Sequence, residues 1–187
     1  MAIAYLNPAS STTNTNWDES DVSYLDQGQT SNTWQTTANS AELIVTLDDF
    51  DNTGVASIDS VQIIIVGNYD ARSGLWTART KIMDSSDTQI YGEDLLIPAG
   101  RTASTVTGTV RTTSDGSTAW TDSDLDGMKI RVFSSNCTDK GQMVQCYIKV
   151  IYTEATGYAN DVIGVATANI GKVKGVATAN IEKVIGV

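Results

Sequence analysis

The chain contains no histidine among its 187 residues. That single absence removes the usual general base, the Ser–His and Cys–His nucleophile pairs, and the commonest metal ligand. No window approaches 18 apolar residues, and the start, MAIAYLNPASS, has no basic stretch, apolar run or cleavage site of a leader. The expectation is synthesis in a cytosol and no membrane insertion. A glycine-rich phosphate loop, a metal-spaced cysteine set and a basic stretch interleaved with aromatics are also missing, which argues against nucleotide, zinc and nucleic-acid roles. Proline and cysteine occur only twice each.

Positive charge is scarce as well: 12 Lys and Arg stand against 22 Asp and Glu, for a net charge of -10. The deficit is uneven. From Gly157 onward, Asp161 and Glu182 face Lys172, Lys174 and Lys183, so the tail is +1 and the preceding 156 residues carry -11. Acidic bodies repel one another and repel nucleic acid and anionic membranes.

What is present is 41% hydrophobic residues with abundant Ser, Thr, Asn, Gly and Val, the composition of a β-rich, turn-rich globular chain. A body of that size buries roughly 68–70% of its unfolded surface. Residues 41–47 (AELIVTL) alternate, with Leu43, Val45 and Leu47 on one face. Residues 60–67 (SVQIIIVG) are apolar on both faces, as in a central strand. Residues 75–83, 88–92, 104–112, 128–134 and 143–153 continue the series, with 2–6 as a first strand. Turn sequences such as DDFDNTG, NYDARSG, DSSD and TSDGS separate them, and no amphipathic helix of ten residues precedes Gly157. The pattern predicts an all-β, antiparallel sandwich of about eight strands over residues 1–156. Pro8 and Pro98 fall outside strand interiors.

Residues 157–187 form a second segment with an eleven-residue repeat, VIGVATANIGK at 162–172 and VKGVATANIEK at 173–183. On a helical wheel its Val and Ile positions fall within about 160°. However, Gly164, Gly175 and Gly186 each cost a helix about 1 kcal/mol, and an odd period swaps strand faces at every repeat. The expectation is a broken repeat of short extended pieces and turns that buries Val162, Val165, Ile170, Val173, Val176, Ile181 and Val184 at an assembly interface.

Candidate chemistry is thin. Asp49, Asp51, Thr53 and Gly54 resemble the opening of a calcium loop, but the twelfth position is Ser60 and the bidentate ligand is missing. Asp122, Asp124 and Asp126 form a second acidic cluster with turn character. No metal, cofactor or catalytic residue is therefore expected. Cys137 and Cys146, nine apart around TDKGQ, could bridge a loose loop. A tight hairpin there would instead place Cys146 opposite Phe133, beyond disulfide reach; free thiols are the expectation, since cytosolic synthesis also disfavours a bridge. Of the four tryptophans, Trp76 and Trp120 read as core. Trp17 and Trp34, set among Thr, Asn and Ser, are the candidate glycan contacts.

The segments LDDFDNTGVASIDSVQIIIVG, AWTDSDLDGMKIRVFSS and QCYIKVIYT resemble jelly-roll β-sandwich domains of tailed-bacteriophage structural proteins and of some bacterial surface proteins. The likeness spans Leu43 to Thr153. GVATANIGKVKGVATANIEKV in turn resembles repeats of phage virion proteins. The resemblance implies a jelly roll and a non-enzymatic virion structural protein, a head decoration or fibre component made in the host cytoplasm. Its acidic sandwich would face outward, and its tail would assemble a homotrimer with other virion proteins. The alternative is a carbohydrate- or receptor-binding adhesin module of a tail or surface fibre, touching host glycan through Trp17 and Trp34. A glycan-cleaving role through Asp49 or Asp51 is a third reading.

Overall fold

A computed structural model describes residues 1–18, 34–36, 40–70, 75–135, 137 and 140–155, together with the backbone of 172–173 and 176–177. The strands are β1 (Ala2–Leu6), β2 (Pro8–Thr15), β3 (Trp34–Thr36), β4 (Glu42–Leu47), β5 (Val55–Asp70), β6 (Leu75–Met83), β7 (Gln89–Pro98), β8 (Ser104–Thr107), β9 (Lys129–Ser135) and β10 (Lys140–Glu154). One helical turn, Asp122–Leu125, follows β8.

Two antiparallel sheets face each other. Sheet A runs β1-β10-β5-β8, with β3 also paired to β10; sheet B runs β2-β4-β9-β6-β7. From β1 to β10, only the β6–β7 hairpin stays within one sheet, and every other step along the chain crosses between the two. Without β2 and β3, the remaining eight strands take the two interleaved four-strand orders of a jelly roll. The fold is therefore the all-β, antiparallel sandwich that the alternation predicts, with the jelly-roll order that the resemblance implies.

The same crossing corrects one expectation. β9 and β10 do not form a hairpin: β9 pairs with β4 and β6, and β10 with β1, β3 and β5. Cys137 and Cys146 are nevertheless both buried free thiols.

The core comes from the inward positions of both sheets. Leu43, Val45 and Leu47 on β4 and Ile130 and Val132 on β9 meet Ile63 and Ile65 on β5 and Ile148 and Val150 on β10. Trp76 and Trp120 join them as expected. Ser134 occupies a core position because the fully buried Trp76 needs an acceptor: its Nε1 donates to Ser134 Oγ at 2.9 Å. β5 and β10 run side by side for most of their length, with register shifts. At one shift the backbones close in, so that a Cβ on Gly67 would lie 2.4 Å from the Gln142 carbonyl oxygen.

The loops behave as local hydrogen-bond chemistry dictates. In the β6–β7 turn, Asp84 Oδ1 accepts from the backbone N–H of Ser86 and of Thr88. Near residue 115, the N–H groups and hydroxyls of Thr118 and Ser117 hold the Asp115 carboxyl far below its usual range.

In the tail, β11 (Lys172–Val173) and β12 (Val176–Ala177) form a two-stranded antiparallel ladder with Val173 opposite Val176. Only their backbone is described. Val162, Val165, Ile170, Ile181 and Val184 lie outside the described residues, and so does the burial expected at all seven positions.

Candidate functional site

The outward positions of β6 and β9 carry the most distinctive chemistry. Inward residues on these strands are apolar or small, so period-2 alternation sends Arg79, Lys81, Lys129, Arg131 and Phe133 to the opposite face. The register aligns them in rows across sheet B. One row runs Glu42, Phe133, Arg79, Asp94, and the next runs Ile44, Arg131, Lys81, Gly92. Arg79, Lys81, Arg131 and Phe133 line an open cleft of about 240 Å³. Arg79 is exposed, and the other three are half-buried.

Neutralisation of this face is incomplete. Arg131 Nε donates to Glu42 Oε1 at 2.5 Å, with both side chains about a quarter to a third exposed. Lys129 Nζ reaches Asp87 Oδ1 at 2.7 Å beyond the cleft. Arg79 lies only loosely by Asp94, at 3.7 Å, with both side chains more than half exposed. Lys81 has no carboxylate within ion-pair distance among the described residues. It stands directly opposite Arg131, and like charges in that relation destabilise a sheet. Nine of the twelve cations precede Gly157, and four of those nine share this face of a body whose net charge is -11.

The sequence offers no continuous basic stretch with aromatics, yet the fold assembles one from strands about fifty residues apart. The legible signal was there in LWTARTKIM and MKIRVFS, where the cations alternate with inward residues.

The candidates named from sequence lie elsewhere. Trp17, expected to be exposed, is buried. Asn16 adopts a left-handed backbone (φ 61°), which Asn tolerates, and Trp17 packs edge-on to Trp76 with ring centroids 5.9 Å apart. A ring held there presents no face to a sugar. Trp34 is placed by its backbone in β3, opposite Met143; its side chain lies outside the described residues.

The two acidic segments do meet at one end of the sandwich. Asn52 Nδ2 donates to Asp122 Oδ2 at 2.5 Å, and the Gly127 N–H donates to Asp49 Oδ1 at 3.3 Å. A second depression of about 310 Å³ opens there beside Phe50, Asn52 and Trp120. Its aromatic rings are core residues: Trp120 Nε1 donates to the Arg111 carbonyl at 2.9 Å, and Phe50 packs edge-on to Tyr152. Asp51 caps its own turn, and Thr53, through its hydroxyl and then its N–H, holds that carboxyl below its usual range. Among the described residues no group of three or more Cys, Asp or Glu could hold a metal ion. No described helix is long and apolar enough to cross a membrane.

No family model matches this sequence, and no curated protein matches it. Several solved structures align with the chain, three of them as follows. CBM35 from Cellvibrio japonicus Abf62 does so at 12% identity over 82% of this chain and 98% of that one, with a TM-score of 0.42. Xyl-CBM35 in complex with a glucuronic acid containing disaccharide aligns at 14% identity over 81% and 98%, with a TM-score of 0.45. The enzymatically active domain of bacteriophage CBA120 tailspike protein 4 aligns at 13% identity over 80% of this chain but 19% of that one, with a TM-score of 0.43. Likeness at this level assigns no ligand, and the site rests on its own geometry.

Proposed function

We propose that this chain is a non-enzymatic binding module that holds a carbohydrate on the outer face of sheet B, as an adhesin component of a phage tail or surface fibre. The observation that carries this reading is the cleft in which Phe133 is flanked by Arg79, Lys81 and Arg131. A half-buried ring on a flat sheet offers apolar contact to one sugar face, while neighbouring N–H donors fix the hydroxyls. Strand rows set those donors at fixed spacings, so the site is held by the sheet and not by loops.

A glycan array probed with the full chain tests it. Binding to a defined set of glycans is expected, with the signal weakened about fivefold in Phe133→Ala and retained in Trp17→Phe. An empty array, or a signal indifferent to Phe133, contradicts it.

The second reading is a virion display role with no glycan, in which the tail assembles a homotrimer with other virion proteins. The repeat at 162–183 and the confinement of net negative charge to the body favour it. Removal of residues 157–187 would then lower the oligomeric state measured by light scattering. An unchanged mass would contradict the assembly role of the tail.

A further inference from the structure

The rows on sheet B carry a further inference about what the ligand must be, which rests on the carbohydrate reading above. We infer that the recognised group is an anion, a carboxylate or sulfate on an acidic glycan, seated between Arg131 and Lys81 with the adjoining sugar ring against Phe133.

Three observations converge on it. Arg131 and Lys81 are direct cross-strand neighbours, a placement that weakens the sheet unless something of opposite charge lies between them. Glu42 engages only the Nε of Arg131, so the terminal guanidinium nitrogens keep their N–H donors, arranged for a two-oxygen acceptor. Lys81 is half-buried with no carboxylate partner among the described residues. Desolvation makes each such charge count for more than it would in open solvent.

The surrounding charge sharpens selectivity. A net charge of -10 repels polyanions from the molecule at large, so an acidic chain is attracted only where the four cations outweigh Glu42, Asp87 and Asp94. Nucleic acid offers the wrong match: its continuous phosphate charge would run off this small face onto acidic surface. An acidic glycan with charges spaced by neutral rings fits the alternation of Phe133 with the cations.

The test uses the full chain and paired probes with a common backbone: polygalacturonate against its fully methyl-esterified form, and dextran sulfate against dextran. Affinities are measured by titration calorimetry at low and at physiological salt, beside a single-stranded oligonucleotide. The charged member of at least one pair is expected to bind at least about tenfold more tightly than its neutral partner, and to weaken with salt. Lys81→Ala and Arg131→Gln should each remove at least about tenfold of that affinity, while Lys149→Glu on sheet A leaves it unchanged. Thermal unfolding of each variant reports whether the sheet persists, and Lys81→Ala keeps the Arg131–Glu42 pair should Arg131→Gln fail to fold. Which pair discriminates separates carboxylate from sulfate recognition.

Equal binding of charged and neutral partners through Phe133 would overturn the anion and leave the carbohydrate reading standing. No binding to any of the four polymers, with an empty array, would overturn both. Tighter binding of the oligonucleotide through the same cations would overturn the glycan as the ligand.

Discussion

The outer faces of the two sheets are built on one plan and end in opposite chemistry. On sheet A, Ile3 faces Ile151, Tyr5 faces Lys149, and Tyr147 faces Ile64, with Ser60, Gln62 and Thr107 farther along these rows, so apolar and aromatic side chains mix with uncharged polar ones and Lys149 is their one cation. These groups cover one another in part: the Tyr5 and Tyr147 rings meet edge to face at 5.6 Å and Tyr147 is buried, while Ile3 and Tyr5 stay exposed. On sheet B, the corresponding rows hold four cations around one aromatic ring, with too few carboxylates beside them. A surface that satisfies itself contributes stability. A surface left electrostatically incomplete, at some cost to the sheet, is the face on which the proposed ligand would sit.

Substitutions can separate these roles. The largest effect is expected from Trp76→Ala, which removes a ring common to both sheets and strands Ser134; a loss of about 3–5 kcal/mol in denaturant unfolding would erase the distinction between the faces. Gly67→Ala is a sheet A test. Its new Cβ would meet the Gln142 carbonyl, so about 1–3 kcal/mol of stability should go while glycan binding survives in the folded fraction.

Alkaline pH also strikes sheet A. Burial pushes the Cys146 thiol up to about 12, and burial, with Tyr5 second, raises Tyr147. Both groups are neutral when protonated, and the unfolded chain ionises first. Stability should therefore be fully present below about pH 9 and fall by up to about 1.4 kcal/mol per pH unit for the thiol between about pH 9 and 12. Unfolding midpoints measured at pH 8, 9.5 and 10.5 check this, and Cys146→Ala should flatten the slope. The smallest effect is expected from Phe133→Ala: stability within about 1 kcal/mol of wild type, with glycan affinity lower by about 1 kcal/mol, or roughly fivefold.

Most of the strand framework is legible in the sequence where burial enforces alternation. The bounds of β1 and β6 agree residue for residue with the apolar patterns at 2–6 and 75–83. β2 and the three-residue β3 are strands that the pattern hides. PASSTTNT has no apolar face because it is an edge strand paired only to β4, with two register shifts. β8 is shorter than the run at 104–112, ending at Thr107, with Arg111 making only an isolated bridge to Val61. Pairing was harder to read than strand position, since the β9–β10 connection looks like a hairpin locally and crosses between sheets globally.

The site was hidden for the same reason. Arg79 and Phe133 are neighbours only through the β6–β9 register, which no local spacing encodes. Trp17 misled because its polar sequence neighbours describe an edge strand and a turn, while its own ring follows Asn16 inward.

Backbone amide shifts of the isotopically labelled chain, recorded by NMR during titration with an oligouronate or a sulfated oligosaccharide, test the central claim most directly. Shifts are expected to saturate around Arg79, Lys81, Arg131 and Phe133 and to leave Ile3, Tyr5, Tyr147 and Ile151 unmoved. Shifts gathered on sheet A, or none on sheet B at saturating ligand, would contradict it.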